Sequence, residues 1–286
     1  MKTIGLIANS DKPSAVAAVR TVLKLAARRK VRVMLSEETA MVLGARDFVT
    51  IARLARECDL ILVLGGDGTM LSSARVLYGA RRPILGINFG GLGFLTAGAS
   101  SKLVPVLRQV FSGKYRISQR HLIQAEVTRG GRRIFSSLAL NEAVISRGEV
   151  PRIIKINLCV DGEEVTTYAC DGLLVATPTG STAYAMSAGG PVVAPDAAVF
   201  SVTPICPHTL TNRSLVVSNR SILQARIESV NRKINLTLDG QEVFSLESGD
   251  SVRLRLARKT VRLAKLDDYS FYQVLRHKLK WSGSNI

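Results

Sequence analysis

Aromatic residues are scarce in this 286-residue chain, at 5% with a single tryptophan, and histidine and cysteine number only three and four. Cys58, Cys159, Cys170 and Cys206 form no C-x-x-C pair, which excludes the usual structural zinc sites and argues against a disulfide framework. No stretch approaches the roughly 18 uninterrupted apolar residues of a transmembrane helix, so none is expected. The opening MKTIGLIANSDKP carries an apolar run of five residues, too short for a signal-peptide core. Free thiols without an export signal point to the cytoplasm. Acidic residues are also in deficit, with 22 Asp plus Glu against 39 Lys plus Arg, a net charge of +17. That balance favours anionic partners such as nucleotides, nucleic acid or phosphate, or describes a solvated basic surface. Basic and aromatic residues do not alternate as they do in RNA-binding sheets, so neither a nucleic acid nor a membrane is expected as partner.

Several phosphate and hydrolase signatures are missing too. The chain contains no G-x-x-x-x-G-K-[ST], no G-x-G-x-x-G, no G-x-S-x-G and no H-E-x-x-H. What it does contain is 47% hydrophobic residues in a length suited to two cored domains. TIGLIA (3–8), VRVML (31–35), DLILVLGG (59–66) and PILGIN (83–88) read as strands. Helical spacing over 13–29, 47–57 and 69–77 separates them, with Pro13 starting the first helix. Continuously apolar strands alternating with helices predict a parallel, doubly wound α/β sheet. From about residue 115 the texture becomes β-branched and alternating, in runs such as LIQAEVTR, NEAVISRG, IIKINLCVDG, SVRLRLAR and TVRLAKL, which predicts mostly β structure. Residues 100–113 read as a joining helix, and 270–280 as a helix apolar enough on one face to dock on a domain.

The buried strand LILVL runs into Gly65-Gly66-Asp67-Gly68-Thr69 and then a helix, a turn whose glycines let a phosphate approach the amides at a positive helix end. Gly65, Gly66, Gly68 and Thr69 are therefore the expected phosphate-binding residues. Asp67 is an odd choice in an anion site. It fits a carboxylate that binds a metal bridging to phosphate, one that accepts a proton from an attacking hydroxyl, or a cap on the following helix. A second cluster, GINFGGLGFLT (86–96), follows another apolar strand, with Phe89 and Phe94 either lining a pocket or buried at a hinge. In the β-rich half, Asn141 and Glu142 offer donors and acceptors to ribose hydroxyls, or serve as a turn residue and an edge charge. TPTGSTAY (177–184) crowds four hydroxyls and a phenol into a strand-to-helix turn, a source of donors to a nucleotide.

Taken together these residues resemble the NAD kinase family. The resemblance runs through GGDGTML (65–71), GINFGGLGFLT (86–96), NEAVISRG (141–148), DGLLVATPTGSTAYAMSAGGPVVAP (171–195), PHTLTNRSLVV (207–217) and LDGQ (238–241). GGDGT is shared with lipid kinases; TPTGSTAY together with the Asn-Glu pair is the specific part. The resemblance implies an N-terminal Rossmann-like domain (1–100 and 266–286), a C-terminal β-sandwich-like NAD-binding domain (101–265), and a C-terminal helix returning to the first. It implies transfer of the ATP γ-phosphoryl group to the 2′-hydroxyl of the adenosine ribose of NAD, with a divalent metal, Mg2+ or Mn2+, in a homodimer or homotetramer. Asp67 would be the catalytic base, with Gly68 beside it. Asn141, Glu142, Arg152, Asp171, Thr182, Ala183, Tyr184, Ala185, Met186, Ser187 and Gln241 would hold the dinucleotide. Ala169 departs from the pattern, standing where many bacterial members carry a basic residue; Arg147, Arg152 or Lys155 could stand in for it.

Overall fold

A computed structural model of the chain describes residues 1–9, 14–89, 93–99, 103–149, 152–230, 233–267 and 270–281. It divides into two compact units, Met1–Gln119 with Val261–Ile286, and Arg120–Thr260.

In the first unit β1 (Thr3–Ala8) is followed by α1 (Ser14–Arg28), β2 (Arg32–Leu35), α2 (Glu37–Leu43), α3 (Ile51–Glu57), β3 (Leu60–Leu64), α4 (Asp67–Val76), β4 (Ile84–Asn88), β5 (Thr96–Ala99) and α5 (Leu103–Phe111). The strands lie parallel in the order β2–β1–β3–β4, with Thr3 beside Arg32, Ile4 beside Leu60 and Ile61 beside Ile84. β3 is buried at every position, as its unbroken apolar run requires in a sheet covered on both faces. α1 closes one face with Ala15, Ala18, Val19, Val22 and Ala26, a stripe at helical spacing. Leu103, Val106 and Leu107 of α5 join the same core.

The helix expected over 47–57 begins only at Ile51, where the Thr50 hydroxyl accepts the Arg53 N–H. α2 was not anticipated, because seven residues are too few to display a 3.6-residue period. Its caps are nonetheless in the sequence: Ser36 accepts the Thr39 N–H at 3.3 Å, and Gly44 ends it in the left-handed region at φ 66°. Pro13 and residues 100–102 of the joining helix lie outside the described residues.

The second unit continues with β6 (Arg116–Arg129), β7 (Arg132–Ala139), β8 (Glu142–Arg147), β9 (Ile154–Val160), β10 (Glu163–Cys170) and β11 (Gly172–Ala176). After a 3-10 turn at Gly180–Thr182 come α6 (Tyr184–Ser187), β12 (Val199–Ile205), β13 (Leu215–Ser218), β14 (Leu223–Ile227), β15 (Ile234–Leu238), β16 (Glu242–Leu246) and β17 (Ser251–Lys265). One sheet is β13–β12–β11–β8–β15–β16; β10, β9, β14 and β17, with β6 and β7, belong to the other. Ile145, Leu173, Val175, Phe200 and Leu236 on the first face Ile156, Leu158, Leu223, Ala225 and Leu254 on the second in one core, which makes the unit a β-sandwich. β14 shows the reason plainly: Leu223, Ala225 and Ile227 are buried and the residues between them exposed.

SVRLRLAR and TVRLAKL form a single strand, β17, since no Gly, Pro or Asn separates them. Residues 261–265 of that strand belong to the first unit, where Leu263 pairs in parallel with Ile84. α7 (Phe271–Leu279) follows, capped by the Ser270 hydroxyl on the Gln273 N–H, and buries Val274 and Leu275. Its Phe271 ring lies 6.0 Å from that of Phe94, so the helix packs within the first unit. All four cysteines are free thiols, and among the described residues no helix is long and apolar enough to cross a membrane.

Phe200 is wholly buried in the sandwich core. Phe200→Ala is expected to cost the second unit about 3–5 kcal/mol, read as a fall in its urea unfolding midpoint. An unchanged midpoint would show that the core does not depend on this ring.

Candidate active site

Chain order reverses in the first sheet between β1 and β3, and in doubly wound sheets ligands bind at the carboxyl ends of the strands flanking such a reversal. Asn9 and Gly65 leave the sheet there. The Asn9 amide donates to the Leu64 carbonyl at 2.9 Å and its side chain to Thr69 Oγ1 at 3.4 Å. Gly65 donates to the Ile87 carbonyl at 2.9 Å, and a Cβ at Gly65 would collide with the Thr69 side chain. Gly66 is the N-cap of α4 and makes no side-chain cap bond, so the first-turn amides lie uncapped by it at the positive end of a ten-residue helix. Asp67 is the first helical residue and not the cap.

The Asp67 carboxyl is wedged into the second glycine cluster. A Cβ on Gly93 would stand 2.5 Å from Asp67 Oδ1 and 2.8 Å from Thr96 Oγ1, so only glycine fits. Oδ1 is enclosed with no hydrogen-bond partner among the described residues. Burial raises the Asp67 pKa above its ordinary value, while the Leu95 amide, Lys278, Lys265 and the Phe94 amide act in the opposite sense. Lys265 is 5% exposed and donates to the carbonyls of Phe94 and Leu95 at 3.1 and 3.2 Å, which fixes the loop against the acid. Phe89 packs on the core of this unit, and Phe94 packs against Phe271. Gly90, Gly91 and Leu92 of the cluster lie outside the described residues.

In the second unit the Asn141–Glu142 pair opens β8 and is buried. The Asp239 carboxylate, in the turn between β15 and β16, accepts the N–H groups of Leu140, Asn141 and Glu142 at 2.8, 2.7 and 3.2 Å, and the Asp239 amide returns a bond to the Glu142 carbonyl at 3.0 Å. The Asn141 carbonyl takes the Thr177 N–H at 2.9 Å, and a Cβ on Gly180 would collide with that same carbonyl. The TPTGSTAY turn thus lies directly on the Asn-Glu pair. Its hydroxyls are already engaged within the fold, which differs from the expectation of free donors. Thr177 donates to the Leu140 carbonyl at 2.6 Å, Ser181 to those of Pro178 and Val193, and Thr182 to that of Thr179 at 3.4 Å. Arg120, also buried, donates to Thr179 Oγ1 at 3.3 Å.

The other expected site residues differ in setting. Tyr184 and Ser187 are exposed, Ala183 and Met186 half-buried, and Ala185 fully buried against Val144, Leu174 and Ala176. Asp171 accepts from Arg147 at 2.8 and 3.4 Å, so its carboxylate is already paired with a cation. Gln241 is exposed and closes the β15–β16 turn through its amide on the Leu238 carbonyl. Arg152 is exposed ahead of β9. Ala169 pairs with Lys155 across β9–β10 and accepts the His208 N–H at 2.9 Å, which puts Lys155 on the adjacent strand position.

Sequence reading did not single out Asp239, Arg120, Lys265 or Lys278. Asp239-Gly240 is a hairpin signal, and φ of 52° and 65° bears that out. Nothing in the pattern tells that its carboxylate serves residues almost a hundred positions earlier. Among the described residues no group of three or more His, Cys, Asp or Glu could hold a metal ion.

Residues 4–115 match the family model of the ATP-NAD kinase N-terminal domain, and 140–266 that of the ATP-NAD kinase C-terminal domain. The chain is 40% identical over 281 residues to the NAD kinase of Desulforamulus reducens, covering 98% of each, and 41% identical over 281 residues to that of Geobacter metallireducens, covering 98% of this chain and 99% of the relative. The crystal structure of an NAD kinase from Archaeoglobus fulgidus in complex with ATP superposes with a TM-score of 0.75 at 27% identity, covering 98% of this chain and all of the other. Yeast NADH kinase complexed with NADH shares the fold, with a TM-score of 0.88 at 23% identity over the whole of this chain and 89% of the other. With its two halves matched in order and the Gly65–Thr69 turn and Asn141–Glu142 pair each built into a folded unit, the chain belongs to the NAD kinase family.

Proposed function

We propose that this chain transfers the γ-phosphoryl group of ATP to the 2′-hydroxyl of the adenosine ribose of NAD, giving NADP and ADP. One observation carries the reading: the same chain presents a glycine turn with an enclosed acid at a helix N-terminus and a separate buried Asn-Glu pair braced by a hydroxyl-rich turn. The first suits a polyphosphate beside a proton acceptor, the second a polar nucleoside. The curated relatives are NAD kinases, and the Archaeoglobus protein was crystallised with ATP.

In this reading the first unit, Met1–Gln119 with Val261–Ile286, handles the phosphates and the second, Arg120–Thr260, holds NAD, a boundary shifted from the expected 100/101 and 265/266. The amides around Gly65, Gly66, Gly68 and Thr69 take the triphosphate. Phosphoryl transfer passes through a loose transition state, so catalysis is chiefly positioning and charge neutralisation. Asp67 orients the attacking hydroxyl and receives its proton late in the step. Burial raises the proton affinity of that carboxyl, which favours this role. Asn141 and Glu142 bind ribose, with Arg152, Asp171, Thr182, Ala183, Tyr184, Ala185, Met186, Ser187 and Gln241 completing the dinucleotide contacts. A divalent ion, Mg2+ or Mn2+, would neutralise phosphate charge. The described residues offer no cage of three ligands, so such an ion would rest chiefly on phosphate oxygens and water, as Mg2+ commonly does. Four free thiols favour a reducing cytoplasmic setting, and assembly as a homodimer or homotetramer belongs to this reading through the family.

Purified protein with ATP, Mg2+ and NAD is expected to form NADP, read by an NADP-specific dehydrogenase; no NADP from folded protein would overturn the reading. Asp67→Asn should lower kcat by about 10² to 10⁴ with little change in NAD affinity, and equal kcat would remove Asp67 from its role. Chelation of divalent ions should abolish turnover and added Mg2+ restore it; turnover surviving chelation excludes the ion. Gly180→Ala, which pushes on the Asn141 carbonyl, should raise KM for NAD on the order of 10- to 100-fold and leave KM for ATP in place. Equal shifts in both would mean that the turn does not serve NAD alone.

A further inference from the structure

The turn Gly65-Gly66-Asp67-Gly68-Thr69 contains no lysine or arginine. Its amides stand at the positive end of α4, which is worth about half a unit charge, and Asp67 adds a charge of the opposite sign. A triphosphate in transfer carries several negative charges, so this turn needs a cationic side chain from another part of the fold.

The chain after residue 260 brings two lysines to bear on Asp67. Lys265 of β17 is enclosed and donates to the Phe94 and Leu95 carbonyls at 3.1 and 3.2 Å, so its ammonium is committed to the loop. Lys278 of α7 is exposed, where a ligand can reach it.

The docking of α7 fixes where Lys278 stands. Phe271, Val274, Leu275 and Lys278 recur at i, i+3, i+4 and i+7, which sets them along one face of the helix. That face is the one turned onto the first unit, because Val274 and Leu275 are buried and the Phe271 ring lies 6.0 Å from that of Phe94. Phe94 adjoins Gly93, whose backbone is pressed against the acid: a Cβ there would stand 2.5 Å from Asp67 Oδ1. The docked face thus lies along the loop that encloses Asp67 and ends, about two turns beyond Phe271, in a cation at the surface. Arg276 and Lys280, also exposed, fall on the opposite side of α7.

We propose that Lys278 is a further catalytic residue, its ammonium donating to the γ-phosphate oxygens of ATP beside Asp67. This rests on the first unit being the phosphate site. A lysine suits the task, since its flexible stem carries a compact charge with three donors that can follow the phosphoryl group as it moves between oxygens. Charge spread over the equatorial oxygens in the transition state is what such a cation stabilises.

Calorimetry of ATP and ADP binding with Mg2+, in the absence of NAD, tests the contact. Lys278→Ala should weaken ATP about 10- to 100-fold and leave ADP, which lacks the γ-phosphate, within about threefold of wild type. Lys278→Arg keeps the charge and should recover most of the loss. Arg276→Ala removes the same charge from the far side of the same helix and should leave ATP within about threefold. In turnover, KM for NAD should stay in place in Lys278→Ala, with thermal unfolding of each variant as the check on folding.

Wild-type ATP affinity in folded Lys278→Ala would overturn the inference, as would an equal loss for ATP and ADP or an equal loss in Arg276→Ala. ATP binding that depends on Lys278 in protein forming no NADP would uphold this contact and overturn NAD as acceptor. Wild-type protein that binds neither ATP nor ADP would overturn the contact and the phosphate site together.

Discussion

The Asp239 carboxylate collects three N–H donors from residues 97 to 99 positions earlier in the chain. That one convergence fixes the entry to β8, and nearly everything in the second unit's candidate site is referenced to it. The Asn141 carbonyl, once placed, receives the Thr177 amide and leaves no room for a side chain at position 180. The Thr177 hydroxyl then ties the turn to Leu140, and Arg120 ties it to β6. Each bond is worth little net, on the order of 1 kcal/mol. Losing the carboxylate would instead strand three amides, on the buried residues Leu140, Asn141 and Glu142, at the full desolvation cost of each.

The two acids of interest, Asp67 and Glu142, are both pulled toward neutrality by burial, yet their surroundings part them. Asp67 has amides and two lysines nearby to restore its charge. Glu142 has the Asp239 charge nearby, which acts in the same sense as its burial. Environments of opposite electrostatic sense are how one protein assigns two carboxyls to different tasks. Lys265 works at one remove: it touches carbonyls of the Gly93–Thr96 loop, and the loop presents its amides to the acid.

The α/β half was the more legible in sequence. β1 was read to its ends, and β3 and β4 nearly so, because parallel strands covered on both faces must be apolar throughout. The short α2 escaped because it is held by caps, which mark ends without declaring what lies between them. In the β-rich half the quoted runs located β6, β8, β9 and the two parts of β17. β7, β10, β12 and β14 went unread, because their patterns depend on which face meets the other sheet. Gly65–Thr69, Asn141 and Glu142 were visible as local combinations of residue types. Asp239 and Arg120 were not, because their partners are distant in sequence and short-range spacing carries no trace of them. The hydroxyls of TPTGSTAY were seen, but a hydroxyl counted in sequence has no stated partner, and here each of the four already meets one in the fold.

The first unit is assembled from two stretches of chain separated by the whole of the second. Its early residues include the Gly65–Thr69 turn and the loop that meets Asp67. The strand residue beside Ile84, the lysine that fixes that loop and the helix that packs on Phe94 all come after residue 260. Protein is made from the N-terminus forward, at roughly 5–20 residues per second. The sandwich can therefore close on the ribosome while the earlier unit still waits for its last strand and helix. The first unit begins to form first and is finished last, so a nascent chain cut short before Leu263 lacks the strand residue, the lysine and the helix that hold the Asp67 loop in place.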